Sequence, residues 1–143
     1  LVRVEASSCV FTCGLEPGTL LPLPVAHGEG RFVGAAGHLE ALAAGGQTPL
    51  RYAGRDGAPA TAFPDNPNGS EAAAAGVCNP GGNVLAVMPH PERAQDLGAL
   101  PRSVGGAWGE RRAALAGGEP RDDDAPGPGL ALFEGLRRHL GEA

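Results

Sequence analysis

Two short apolar runs, Ala72 to Cys78 and Val84 to Met88, separated by Asn79-Pro80-Gly81-Gly82-Asn83, constrain this chain most. Consecutive turn formers between strand-like runs leave the backbone little choice, and the flanking runs are expected to fold back on each other as a β-hairpin. The second run delivers the chain into Pro89-His90-Pro91-Glu92, where prolines restrict the backbone on either side of a histidine.

Other elements follow from periodicity. Leu1 to Glu5 reads as a strand, so the chain is expected to begin inside a fold. Gly18 to Ala26 reads as a further strand in which Pro22 and Pro24 limit the bonds the backbone can donate. Ala35 to Ala44 has the composition of a short helix that Gly45-Gly46 would stop, and Pro49 to Ala53 reads as another strand. Gln95 to Gly129, rich in Gly, Pro, Arg and Asp, is expected to be a long surface loop with a helical turn around Glu110 to Leu115. Leu132, Phe133, Leu136 and Leu140 fall at helical spacing, which predicts a terminal amphipathic helix over 130–141.

Composition narrows the function classes. A net charge of -5 without a basic run leaves no electrostatic footprint for nucleic acid or an anionic membrane surface. No apolar run approaches the roughly 20 residues that span a bilayer, so a soluble chain is expected. Cys9, Cys13 and Cys78 are an odd set without Cys-x-x-Cys spacing, which speaks against a disulfide framework or a zinc site and for a reducing, cytoplasmic setting. All basic residues are Arg and neither Lys nor Ile occurs, a bias expected of a GC-rich genome. The 24 Gly and 14 Pro are therefore read as codon bias rather than disorder. The run Asp122 to Asp124 lacks the spaced ligands of a calcium loop and reads as a solvated loop, so no metal is expected. His38 and His139 read as solvated helix positions.

His90 and Glu92 form the sharpest candidate site. On an extended segment residues i and i+2 project to the same side, so a carboxylate there can hold an imidazole in one tautomer, as a base and its orienter. The bland alternative for an isolated His-x-Glu is a surface ion pair. The surrounding Gly82 to Ala94, together with Ala26-His27-Gly28-Glu29-Gly30-Arg31 and Asn66-Pro67-Asn68-Gly69-Ser70, lifts the pair above that. The three segments, in their order along the chain, closely resemble the glutaminases of phosphoribosylformylglycinamidine synthases, which are class I glutamine amidotransferases. The resemblance covers approximately Leu1 to Ala94 and resumes in the terminal helix.

The resemblance implies an α/β fold, the three-layer flavodoxin-like domain of class I glutamine amidotransferases, of which residues 1–143 would be the C-terminal portion. A terminal parallel-sheet portion, an antiparallel hairpin and flanking helices are expected. It further implies a Cys-His-Glu triad that hydrolyses L-glutamine through a thioester, with His90 as general base and Glu92 orienting it. His27, Gly28 and Glu29 would line the glutamine site, with Asn66 to Ser70 near its mouth or facing the synthetase. Ammonia would pass to a large synthetase subunit or domain, with a small accessory subunit as a further expected partner. That partner would use ATP and Mg to convert phosphoribosylformylglycinamide to the amidine in purine biosynthesis; no cofactor is expected in this chain.

The departure is the nucleophile. The family places its cysteine in a strand-turn-helix elbow well before the segment where this sequence begins. Gly76-Val77-Cys78-Asn79 imitates the start of such an elbow, but Pro80 stands where the motif has Gly and a hairpin follows instead of a helix. Cys78 is therefore expected to be a buried strand thiol, and the chain to be inactive alone. Two alternatives are a noncatalytic amidotransferase-like module that binds a synthetase subunit and a separate hydrolase built on Cys78.

Overall fold

The computed structural model describes residues 1–115 and 125–141. Five strands form one sheet: β1 (Val2–Val4), β2 (Leu20–Leu21), β3 (Leu50–Tyr52), β4 (Ala74–Cys78) and β5 (Leu85–Val87), in the order β2-β1-β3-β4-β5. Three helices accompany it: α1 (His38–Ala44), α2 (Gly106–Leu115) and α3 (Leu130–His139). The mixed α/β composition is the one expected, but the parallel portion is not among the described strands. All four pairings, β1 with β2, β1 with β3, β3 with β4 and β4 with β5, are antiparallel.

Alternation explains the core. In β1 and β3 the outer residues are buried and the middle one is half-buried, so Val2, Val4, Leu50 and Tyr52 point to one face. Leu97, Leu100 and Leu132 join them in a single apolar cluster. The predicted hairpin is present: Cys78 pairs with Leu85 and Gly76 with Val87, and Gly82 adopts a φ of 70° at the turn. A side chain at Gly82 would collide with the carbonyl of Ser8, so this glycine lets the turn dock on the Ser8–Cys9 segment.

Several elements are shorter than their patterns suggest, for identifiable reasons. Of Gly18 to Ala26 only Leu20–Leu21 is paired as strand, because the prolines that follow cannot donate to a ladder. Ala72 and Ala73, expected to open β4, instead have φ values of 51° and 56° in a 3-10 turn over Glu71–Ala73. The helix at 35–44 begins only at His38, after Gly37 at φ 76°, and ends at Gly45 as expected.

The reading of Gln95 to Gly129 as surface loop needs correction over its described part. Its stem is tied shut: Leu97 N–H donates to Ala125 O at 2.6 Å, Gly127 N–H to Gln95 O at 2.6 Å and Gly129 N–H to Ala94 O at 2.7 Å. Leu97 and Leu100 are buried, and α2 extends the predicted helical turn to a full helix whose Trp108 donates its indole N–H to Leu20 O at 3.0 Å. Scattered large apolar residues anchor this segment, and Gly and Pro around them masked the signal. Asp122 to Asp124 lie outside the described residues. The terminal helix is present as α3, with Gly135 buried against the carbonyls of Val10 and Phe11.

Candidate active site

Strand β5 ends where its neighbours still hold it. Met88 N–H donates to Ala75 O at 3.0 Å, Pro89 is fully buried, and His90 N–H donates to Pro24 O at 2.8 Å. Pro91 then opens a 3-10 turn over Pro91–Ala94, a position that suits a residue with no N–H to offer. Glu92 is thus on a tight turn and not on the extended segment expected. Its carboxylate nevertheless folds back, and Oε1 lies 2.6 Å from His90 Nδ1.

The electrostatics of this pair are one-sided. Glu92 is half exposed, and the hydrogen bond from His90 is the main cause that holds its carboxyl below the ordinary carboxylate range. An ionised carboxylate only accepts, so His90 Nδ1 is the donor and the Nε2 lone pair stays uncommitted among the described residues. That is the protonation pattern of a general base with an orienting carboxylate. The backbone beneath is equally constrained, because Gly129 packs against the carbonyl of Pro91 and leaves no room for a side chain.

The second predicted segment lies beside the first. His27 follows the extended Pro22–Val25 stretch, and Asn68 Nδ2 sits 2.7 Å from its Nδ1 and 3.1 Å from Gly30 O. A Cβ at Gly30 would come within 3.2 Å of Met88 Sδ, so the His27–Gly30 turn rests on the residue two positions before His90. The third segment is rigid because Asn66 is buried. Its amide donates to Ala60 O at 3.1 Å and Ser70 O at 2.9 Å, and its oxygen accepts from Ser70 N–H at 2.9 Å. Ser70 Oγ accepts from Phe32 N–H at 3.0 Å and Glu71 accepts from Gly34 N–H at 3.1 Å, which stitches the strip after Gly30 to the same loop.

The three segments are therefore linked in series, Asn68 to the His27–Gly30 turn and that turn to Met88, two positions before His90. Of the residues expected to line a substrate site, His27 is drawn in, whereas Gly28 and Glu29 are exposed and Glu29 has no hydrogen-bond or ion-pair partner among the described residues. Sequence reading missed the parts played by Asn68 and Pro24. A turn-forming Asn and a strand proline carry no local mark of the long-range bond each makes.

The cysteines lie elsewhere. Cys78 and Cys9 are buried, and burial, with Cys9 alongside, pushes the Cys78 thiol up, the reverse of an activated nucleophile. Cys78 pairs with Leu85 at the far end of β5 from His90, five residues away along the chain. Exposed Cys13 lies against Gly135 O at 3.4 Å. The register and the raised thiol both speak against a separate hydrolase built on Cys78 with His90.

An apolar cleft of about 410 Å³ opens between Leu1, Leu20, Pro22, Arg55, Val104 and Trp108. It offers few polar groups, and none of the three segments lines it.

Comparison with known proteins bears on the family of the chain. The chain is 53% identical over 110 residues to phosphoribosylformylglycinamidine synthase subunit PurQ of Thermomicrobium roseum, covering 77% of this chain and 44% of that protein. The PurQ subunits of Trichormus variabilis and Synechocystis sp. are 44% and 45% identical over 95 residues, each covering 66% of this chain and 38% and 42% of those proteins. The chain spans less than half the length of these curated relatives. A family model for the CobB/CobQ-like glutamine amidotransferase domain matches residues 1–138, a stretch that takes in all three segments and nearly all of α3. This chain belongs to the CobB/CobQ-like glutamine amidotransferase domain family.

Proposed function

We propose that this chain supplies the base half of a glutaminase site, with His90 as general base and Glu92 as the carboxylate that orients it. The observation that carries the reading is the 2.6 Å contact between His90 Nδ1 and Glu92, two positions after the Met88 on which the His27–Gly30 turn rests. In the reaction, a cysteine thiolate from outside this chain's own cysteines attacks the carboxamide carbon of L-glutamine. The tetrahedral oxyanion is held by backbone N–H groups and collapses to a thioester as His90, protonated by the thiol, gives its proton to the departing ammonia. Water then attacks the thioester with His90 taking its proton, and glutamate leaves as the thiol is restored. Glu92 serves both steps by stabilising the imidazolium and fixing the ring.

His27 lines the glutamine site in this reading, with Gly28 and Glu29 in the same turn. Ammonia passes to a large synthetase subunit or domain, with a small accessory subunit in the assembly. There, ATP and Mg drive conversion of phosphoribosylformylglycinamide to phosphoribosylformylglycinamidine. The family match supports glutamine as the substrate, and the names of the similar proteins support a synthase assembly as the partner. A cytoplasmic setting fits the free thiols.

The test is a chimera in which this chain replaces the matching part of the Thermomicrobium roseum subunit. Glutamate release from glutamine should persist, and His90→Ala should lower it by at least about 10²-fold. The chain alone should release none. A folded, active chimera indifferent to His90→Ala would sink the reading.

A further inference from the structure

We infer that Asn68 is a positioning residue that fixes His27 as a neutral N–H donor, the protonation pattern opposite to that of His90. The orientation of the Asn68 amide is decided by its second partner. The same atom that faces His27 Nδ1 at 2.7 Å also faces the carbonyl of Gly30 at 3.1 Å. A carbonyl only accepts, so that atom is the NH2 group, and its two protons go to Gly30 O and to the His27 Nδ1 lone pair. Nδ1 therefore carries no proton, and the ring proton sits on Nε2. At His90 a carboxylate occupies the Nδ1 side and forces the reverse arrangement.

The consequence concerns the division of labour between the two histidines. His90 keeps an uncommitted Nε2 lone pair and can accept a proton. His27 presents Nε2–H, which is enclosed and meets no acceptor among the described residues. A buried donor left unpaired calls for an acceptor from elsewhere, and an oxygen of the bound amino acid is the chemical class that fits. His27 thus contributes a donated hydrogen bond, and proton transfer falls to His90 alone. This division of labour rests on the glutaminase reading; the tautomer itself does not.

Ring nitrogen-15 spectroscopy of the chain tests the device without any substrate. Wild-type His27 should show an unprotonated Nδ1 and a protonated Nε2, and His90 the reverse. Asn68→Asp replaces the donor with an acceptor and should move the His27 proton to Nδ1 while His90 stays as it was, which also reports that the fold is intact. A wild-type His27 protonated at Nδ1, or a tautomer unmoved by Asn68→Asp, would overturn the inference. If Asn68→Asp unfolds, the wild-type measurement decides alone. In the chimera with the Thermomicrobium roseum subunit, His27→Gln keeps an N–H donor and should preserve the shape of the pH profile of glutamine hydrolysis. Loss of the limb that reports the general base in that variant would contradict the donor role.

Discussion

His90 with Glu92 and His27 with Asn68 are two histidine pairs of similar length, 2.6 and 2.7 Å, built in different ways. The first spans two positions on a proline-bounded segment and is half open to water, so chain stiffness brings the partners together. The second joins residues 41 apart and exists only once the buried Asn66 loop has closed on the His27–Gly30 turn. A local pair of this kind contributes chemistry and little stability, because solvent screens it. A long-range pair of the other kind is inseparable from the stability of the loops that carry it.

Asn66→Ala should separate the two regions most. It deprives the Ser70 N–H and two carbonyls of their partner at a site 1% exposed, and should cost about 3 kcal/mol. The urea midpoint should fall and the nitrogen-15 signature of His27 should be lost, while that of His90 persists. Loss of both signatures in a protein that remains folded would show that the two regions are one unit.

A smaller effect is expected beneath the same loop. Tyr52 accepts Ala60 N–H on its backbone carbonyl at 2.9 Å, while its hydroxyl is buried without a partner among the described residues and burial pushes it up to about 12. Its raised value means that the stability it contributes is intact below the unfolded value near 10 and is lost as pH rises through about 12. Tyr52 is the sole tyrosine, so phenolate absorbance should titrate near 12 in the folded chain and near 10 in urea. Tyr52→Phe should stabilise by up to about 1 kcal/mol by removing the unpaired hydroxyl. A marked loss of stability would mean that the hydroxyl has a partner.

Glu92→Gln should leave the urea midpoint at neutral pH almost where it was. Its effect is confined to pH dependence. A depressed folded value means that the carboxylate's contribution is present above its unfolded value and is lost as pH falls through the folded one. The wild type should therefore lose slightly more stability on acidification through the carboxylate range than the variant does. Identical acid profiles would show that the pair is energetically silent, and a large drop at neutral pH would make it structural.

Local geometry was legible in the residues: the hairpin with Gly82 in its turn, the stop of α1 at Gly45, the terminal helix α3, and the approach of Glu92 to His90. Each follows from rules that act over a few residues, namely turn chemistry, side-chain periodicity and the fixed φ of proline. Glu92 reached His90 even though the backbone between them is a 3-10 turn and not a strand, because separation by two positions tolerates either. Only long-range packing settled that the pairings outside the hairpin are antiparallel, that Leu97 and Leu100 enter the core from a Gly- and Pro-rich segment, and that Asn68 faces His27. Those outcomes are sums of many weak contacts between residues far apart in the chain, and no short window contains their partners.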